Sequence, residues 1–485
     1  MLAVLVFVPL YPKIPLVSVS GTFVSIRLED LLIGLALILW LFYLIFKKKI
    51  KDFLGDRLNQ SILLFFFIGA VSLFSAIFVT STVTTHLGIL HWLRRVELIL
   101  LLPLMMTVIK TKKQINICLF TLFMVVLLVS IYALGQQFLN LPVISTVNSE
   151  LSKGQILDLT PGARVNSTFA GHYDLAIFLS MAIVMIAALF SILKGKLRVW
   201  SILLGVLAFV VLIMTAARLA FVAVVIGTLA SLTLVGQKKI ILFAILIAIL
   251  ALLYPSQLRD RFISTIIINI QQGGERFSAQ TKHQAERSLL NIPTLPAGHA
   301  SPSAKEASAS ATETAKLAPD IAPGEPIDST ELGVYRSMAI RLDVEWPRAI
   351  RAFTKNPVLG TGYSSIGLAT DNDLLRSLGE VGLLGTAAFA LILIEIIKRA
   401  TLIYKNGDKF LKFLSAGTLA LIITFLINGL FIDVFEASKI AALFWAFTGI
   451  SLAGGTVHPR GGGQAEQRVL HPGGGPGYLE GRRDG

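Results

Sequence analysis

The residues best suited to chemistry are concentrated in one stretch, residues 356–385, with the sequence NPVLGTGYSSIGLATDNDLLRSLGEVGLLG. Its polar side chains stand before or at the start of an apolar run: Asp371, Asn372, Asp373, Arg376 and Glu380. Charged groups at the mouth of a membrane helix are costly to bury, and they mark functional sites. Asp371 is suited to accept a proton from an attacking hydroxyl. Capping of the following helix is the structural alternative for Asp371 and Asp373, and the two roles can coexist.

Three arginines far apart in the sequence supply the complementary charge: Arg164, Arg218 and Arg341. A guanidinium group binds phosphate oxygens through paired hydrogen bonds and stays charged, which suits it to a pyrophosphate. Arg218 stands alone in the apolar sequence TAARLAF. An arginine that snorkels at a helix end is the alternative for this residue. Together with Asp371, the arginines predict glycosyl transfer from a lipid pyrophosphate, with Arg218 and Arg341 neutralising the leaving group.

The composition indicates that these residues belong to a membrane protein. The chain has 485 residues, a mean hydropathy of +0.75 and 15% charged residues, whereas globular chains carry about 25%. The single cysteine, Cys118, lies in an apolar run, which excludes disulfides and cysteine ligand clusters. The seven histidines have no metal-binding spacing, so we expect no metal and no cofactor.

The apolar runs that must position these residues are numerous. A span needs about 20 residues, with shorter variants, and a short first run is followed by eleven others. They lie at residues 2–17, 29–46, 61–80, 87–109, 115–139, 168–193, 199–216, 219–235, 240–254, 380–397, 413–430 and 436–453. Three prolines interrupt the first run, which is a span or a broken re-entrant segment. The fold class predicted is an all-α polytopic membrane protein with about twelve transmembrane helices.

The runs divide the chain into four parts. Residues 1–254 hold helices 1 to 9, and residues 255–379 form one large extracytoplasmic loop between the ninth and tenth spans. Within it, residues 296–326 are rich in Ala, Ser, Pro and Glu and are predicted to be disordered. Residues 380–453 hold helices 10 to 12. Residues 454–485, rich in Gly, Pro and Arg, form a disordered cytoplasmic tail.

The basic residues predict the orientation. Clusters of Lys and Arg follow every second span, at residues 47–51, 110–113, 194–198, 238–239 and 398–412. The positive-inside rule then places both termini in the cytoplasm, and Arg164, Arg218, Arg341 and Asp371 near the outer surface. This distribution accounts for most of the formal net charge of +14 without a nucleic-acid partner.

Arg94 and Glu97, in HWLRRVELI, do not belong to these clusters, because they lie inside a predicted span. They are three residues apart, so an ion pair on one helix face is one interpretation, and a contribution to a central cavity is the other. The glycines of GTGYSSIG lack the strand-to-helix context of a nucleotide fold and predict a tight, ordered loop.

The motifs together resemble the bacterial O-antigen ligase/polymerase superfamily. PVLGTGYSS is followed by Asp371 and Asn372, nine residues, and GLLG from Gly382. The likeness extends to RVNSTFAGHYDLAIFL, TAARLAF and RLDVEWPRAIRAFTKNPVLGTGY, and covers most of residues 29–453. One departure is the family's histidine position, which Asp371 occupies; an ionised carboxylate accepts a hydrogen bond but cannot donate one.

The resemblance implies a bacterial plasma-membrane enzyme that takes an undecaprenyl-pyrophosphate-linked glycan as donor and inverts the anomeric carbon without a metal. Its partners would be that donor, a glycan or lipid acceptor, and membrane lipid. Asp371, Arg218 and Arg341 are the candidate catalytic residues. The candidate substrate-binding residues are Arg164, Asn372, Asp373, Arg376, Tyr363 and Glu380.

Two questions stay open at this point. A ligase and a polymerase differ only in acceptor, and the sequence does not separate them. A transporter or flippase for lipid-linked oligosaccharide would also need buried cations. Such proteins usually have internal repeats and broken helices near the midplane, whereas the sequence reveals no repeat and gathers its charges at one face.

Overall fold

The computed structural model describes residues 1–12, 14–19, 25–144, 156–157, 164–271, 340–366 and 370–456. Its α-helices are α1 (Leu2–Leu10), α2 (Leu28–Phe46), α3 (Ile50–Gly55), α4 (Arg57–Phe78), α5 (Thr85–Val108), α6 (Lys112–Phe138), α7 (His172–Leu189), α8 (Gly195–Met214), α9 (Arg218–Val235), α10 (Lys238–Leu253), α11 (Gln257–Gln271), α12 (Trp346–Lys355), α13 (Asp373–Asn406), α14 (Lys409–Gly429) and α15 (Ser438–Ala453). A π-helix, Ile340–Glu345, runs directly into α12. The predicted disordered segment 296–326 and residues 457–485 of the tail lie outside the described residues.

Two small antiparallel hairpins accompany the helices. β1 (Pro15–Ser18) pairs with β2 (Ser25–Arg27), and β3 (Val143–Ile144) pairs with β4 (Ile156–Leu157). Each pairing is too short to form a layer of its own, so the architecture remains all-α.

Eight of the described helices are long and apolar enough to cross a bilayer: α2, α4, α6, α7, α8, α9, α13 and α14. α10 and the first part of α11 form a ninth candidate that is bent by 85°. A helix satisfies its backbone hydrogen bonds internally, which is what a lipid environment demands. The predicted all-α, membrane-embedded class is confirmed, whereas the count of twelve spans and the placement of the loop stay predictions.

The first apolar run does not form a spanning helix. α1 has nine residues and therefore rises about 14 Å, against a hydrocarbon layer of roughly 30 Å. Pro12 and Pro15 lack the N–H groups that a continuing helix needs, and the chain turns into the β1–β2 hairpin. The ammonium group of the fully buried Lys439 donates a hydrogen bond to the carbonyl of Tyr11, just beyond the helix end.

The helix α15 is buried along its whole length and forms the centre of the bundle. It packs mainly against α5, while α13 packs against α4, and α14 packs against α7 and α9. The close approach of α15 to α5 requires Gly449, where a Cβ would lie 2.5 Å from the Leu102 carbonyl oxygen. Ring contacts among Phe425, Phe435 and Phe444 hold the loop between α14 and α15 against this core.

The helix α13 is broken at Gly382, which has φ 65° and ψ −167°. Residues 357–362 supply the hydrogen bonds that the break removes from the helix. Two of their N–H groups donate to carbonyls just before the break, at 2.8 and 2.9 Å, and two of their carbonyls accept from N–H groups just after it, at 2.8 and 3.2 Å. The tight loop predicted for GTGYSS is therefore present. The tenth span was predicted to begin at residue 380, but α13 begins at Asp373, because a capped half-helix precedes the break.

Substitution of Gly382 by alanine should destabilise the protein. The backbone region it occupies is essentially restricted to glycine, and a residue with a side chain there costs about 1–3 kcal/mol. A Cβ would also lie 2.4 Å from the Val358 carbonyl oxygen. Thermal unfolding in detergent micelles measures the effect. Gly34→Ala in α2 is the matched control, since a Cβ there meets nothing within 4 Å; equal unfolding temperatures for the two variants would contradict the role of the break.

Candidate functional site

Three arginines converge at the end of the bundle where α7 and α9 begin. Arg218, the first residue of α9, donates from its guanidinium to the carbonyl of Arg261 at 3.3 Å and to the hydroxyl of Thr265. The positive charge of Arg164 acts on both the Arg218 and the Arg261 guanidinium groups. We call Arg164, Arg218 and Arg261 the arginine cluster.

Aromatic side chains at the start of α7 hold the cluster in place. Arg164 hydrogen-bonds to Nε2 of His172. The rings of His172 and Tyr173 lie 4.1 Å apart between centroids, and Tyr173 hydrogen-bonds to Arg261. These partners are neutral or aromatic, so they orient the guanidinium groups without neutralising them.

The arginine cluster has no acidic partner in the described part of the chain. Among the residues that the structure describes, none of its three guanidinium groups forms an ion pair with a carboxylate. Three adjacent cations without counter-charge repel one another, and an anion between them would relieve that repulsion. The arrangement is therefore suited to a multiply charged anion such as a pyrophosphate.

Arg341 connects this cluster to the polar stretch before α13. Its guanidinium Nη2 lies 2.5 Å from Oδ2 of Asp371, and its charge also acts on the Arg218 guanidinium. Asp371 has φ 50°, a left-handed conformation that aspartate tolerates better than most residues. Burial raises the pKa of Asp371, and the neighbouring Arg341 opposes that rise. The Arg341–Asp371 ion pair thus lies beside the arginine cluster.

In the first part of α13, which follows Asp371, the guanidinium group of Arg376 is surrounded by carboxylates. Its guanidinium lies 2.9 Å from Asp433, 3.3 Å from Glu380 and 3.2 Å from Glu436. Arg95 of α5 also pairs with Glu436 and donates to the Phe435 carbonyl at 3.0 Å. We call Arg376, Glu380, Asp433, Glu436 and Arg95 the Arg376 network. It ties the half-helix of α13 to the loop between α14 and α15 and to α5.

The structure shows where the other predicted residues lie. Asn372 caps α13, with its side-chain oxygen 2.9 Å from the N–H of Leu375. The Asp373 carboxylate accepts from the N–H groups of Val434 at 3.0 Å and Phe435 at 3.3 Å. These contacts are internal, as are those of Arg376 and Glu380. The capping alternative for Asp371 and Asp373 is therefore wrong, because Asn372 between them is the N-cap residue of α13. A substrate-binding role for Asn372, Asp373, Arg376 and Glu380 stays a prediction.

Tyr363 lies deeper than a surface ligand contact requires. Its side chain is 2% exposed, and its hydroxyl has no hydrogen-bond partner within the described residues. It lines a cavity of about 40 Å³ together with Arg95, Asp373 and Glu380. A cavity of this size has room for a few water molecules, so a role for Tyr363 in binding a sugar stays a prediction.

Arg94 and Glu97 do not form the predicted ion pair with each other, and their contribution to a central cavity stays a prediction. Arg94 pairs with Asp30 of α2 at 3.6 Å, not with Glu97. Arg94, Glu97, Asp30 and His91 line a cavity of about 180 Å³ between α5 and the β1–β2 hairpin. The partner of Arg94 comes from a distant part of the chain, which spacing within one helix cannot reveal.

Sequence reasoning missed four residues of this region: Arg261, Glu345, Asp433 and Glu436. Asp433 and Glu436 carried a usable signal, since Asp433 lies between two apolar runs and Glu436 is the first residue of the second, the same signal that marked Asp371. Arg261 and Glu345 lie in the segment that the sequence predicts as the large loop, where charged residues are ordinary.

No protein-family model matches this chain, and no curated protein matches it. Its function must therefore be inferred from the residues and their geometry.

Proposed function

We propose that the protein is a membrane glycosyltransferase of the O-antigen ligase/polymerase type. It transfers a glycan from an undecaprenyl-pyrophosphate donor to an acceptor hydroxyl at the outer face of the bacterial plasma membrane. The observation that carries this proposal is the arginine cluster, whose three guanidinium groups form no ion pair among the described residues and lie beside the Arg341–Asp371 pair.

The arginine cluster supports the donor half of the reaction. When the bond between the anomeric carbon and the pyrophosphate oxygen breaks, negative charge grows on the leaving pyrophosphate. Guanidinium groups that are already in place stabilise this charge without reorganisation, and one well-placed donor contributes about 3–4 kcal/mol. Arg164, Arg218 and Arg261 are therefore assigned to the pyrophosphate.

The Arg341–Asp371 pair supports the acceptor half. Asp371 is 29% exposed at its side chain, whereas Arg341 is 11% exposed. The carboxylate is thus the more accessible partner, and it can accept a hydrogen bond from an incoming hydroxyl while Arg341 fixes its orientation. Because the charge of Arg341 also reaches Arg218, donor and acceptor would meet between the two groups.

A transporter of lipid-linked oligosaccharide is the second candidate, and one observation favours it. Transporters place substrate sites at broken membrane helices, and α13 is broken at Gly382. However, the backbone groups released by this break are hydrogen-bonded to residues 357–362. They are not available to a substrate, so the break favours a structural role and the transferase remains the better proposal.

A transfer assay with the purified protein tests the proposal. The protein is reconstituted in liposomes with undecaprenyl-pyrophosphate-linked glycan, either alone or with a separate glycolipid acceptor. We expect a longer or transferred glycan together with free undecaprenyl pyrophosphate. Product from the donor alone identifies a polymerase, and product only with the second acceptor identifies a ligase. Movement of intact lipid-linked glycan across the bilayer without new glycosidic bonds would identify a transporter instead and overturn the proposal.

A further inference from the structure

Glu345 is a carboxyl group at the candidate site that none of the roles above uses. It is the last residue of the π-helix that carries Arg341, and it directly precedes α12. Its Oε2 atom is buried and has no hydrogen-bond partner within the described part of the chain. Buried polar atoms are almost always hydrogen-bonded, and an exception calls for an explanation such as a missing ligand donor.

The charged groups that act on Glu345 come from four segments of the chain. They are Asp371 before α13, Arg341 on the same π-helix, Asp433 between α14 and α15, and Arg348 on α12. Burial is the main cause that raises the pKa of Glu345 to about 7, the two carboxylates add to the rise, and the two arginines oppose it. A carboxyl group with this pKa exchanges its proton near neutral pH, as a general base must.

Asp371 is less suited to take the proton, although it lies beside Glu345. Its Oδ2 atom is hydrogen-bonded to Arg341 at 2.5 Å. A carboxylate that is paired with a guanidinium is stabilised in its charged form and is a weaker base. The two carboxyl groups thus have different environments: Asp371 is held by an arginine, and Glu345 has an oxygen without a hydrogen-bond partner among the described residues. Pairs of this kind divide acid–base and positioning roles between them.

We propose that Glu345 is the general base that deprotonates the acceptor hydroxyl, with Asp371 as the positioning residue. This inference rests on the proposed glycosyl transfer. In the step, the acceptor oxygen forms a bond to the anomeric carbon while the bond from that carbon to the pyrophosphate oxygen breaks. The bonding electron pair leaves with the pyrophosphate, and the hydroxyl proton passes to Oε2 of Glu345. The carboxyl group then releases the proton to water, so no further reagent is needed.

The Glu345→Gln variant tests the assignment in the transfer assay. Loss of a general base should lower the transfer rate by about 10²- to 10⁴-fold, while binding of the lipid-pyrophosphate donor should stay within about twofold of wild type because the arginine cluster is intact. The base acts only when deprotonated, so the wild-type rate should rise with pH through about 7, and Glu345→Gln should lose this rise. Glu395→Gln is the matched control, since Glu395 pairs with Lys398 far along α13.

Two further variants separate the outcomes. Asp371→Asn should transfer glycan more slowly than wild type, but its transfer rate should still rise with pH. Glu345→Asp should be faster than Glu345→Gln, and its transfer rate should also rise with pH. Retained donor binding shows that each variant is folded. Full transfer by Glu345→Gln would overturn the assignment of Glu345 as the base but not the proposed function. The same conclusion would follow if the rise of the transfer rate with pH vanished in Asp371→Asn and persisted in Glu345→Gln. A wild-type protein that binds the donor without transfer, or does not bind it, would overturn the proposed function and this inference with it.

Discussion

Replacement of Arg376 by alanine should lower the free energy of unfolding by about 3–5 kcal/mol, the cost of removing one partner from a buried ion pair. Arg376 is 6% exposed, and its guanidinium contacts three carboxylates within 3.3 Å. Without it, Asp433, Glu380 and Glu436 would face one another, and Arg95 would be the remaining cation of the Arg376 network. An effect of this size approaches the whole stability of an ordinary folded protein, about 5–15 kcal/mol.

Lys398→Ala provides the control on the same helix. Lys398 is also paired with a glutamate, at 2.8 Å, but its side chain is 61% exposed. Exposed pairs contribute at most about 1 kcal/mol, so this variant should unfold close to wild type. Thermal or denaturant unfolding in detergent measures both variants. Similar losses for the two would show that the Arg376 network does not stabilise the fold.

Arg218→Ala and Arg261→Ala should each reduce the transfer rate by about 10²- to 10³-fold, the effect of removing one preorganised donor from a developing anion. Both guanidinium groups belong to the arginine cluster, and Arg218 also holds the Arg261 backbone. Arg341→Ala should cause a comparable loss by a different route, because it releases Asp371. Transfer kinetics with the lipid-pyrophosphate donor measure all three variants.

Arg259→Ala is the matched control for Arg261→Ala. The two arginines are two residues apart on α11, but Arg259 is 35% exposed at its side chain and pairs with Asp260 at 2.9 Å. Its replacement should leave the rate unchanged. Unimpaired transfer by Arg218→Ala and Arg341→Ala would refute the assignment of these arginines, as would equal losses in Arg259→Ala and Arg261→Ala.

The helices were the most predictable part of the fold, because a run of about 20 apolar residues leaves the chain few options in a bilayer. The runs at 29–46, 61–80 and 115–139 correspond closely to α2, α4 and α6. The prolines of the first run indicated that it could be broken, and α1 does stop at Leu10. The break of α13 at Gly382 was not predicted. The break at Gly382 depends on hydrogen bonds from residues 357–362, which follow from tertiary packing.

The candidate site, like the fold, was predicted from the sequence only in part. Asp371 and the arginines at 164, 218 and 341 were identified because charge in an apolar chain is conspicuous, and the structure brings them together at one end of the bundle. Their partners were not predictable, because Arg376 and Asp433 are 57 residues apart in the sequence. The orphan oxygen of Glu345 is a property of packing and leaves no trace in a sequence pattern.

A structure of the protein with undecaprenyl pyrophosphate bound tests the central claim most directly. The account predicts that the phosphate oxygens lie within hydrogen-bond distance, about 2.7–2.9 Å, of the Arg218 and Arg261 guanidinium groups, next to the Arg341–Asp371 pair. Pyrophosphate bound at the opposite end of the bundle, for example near the lysines at 47–49, with the arginine cluster empty, would contradict it.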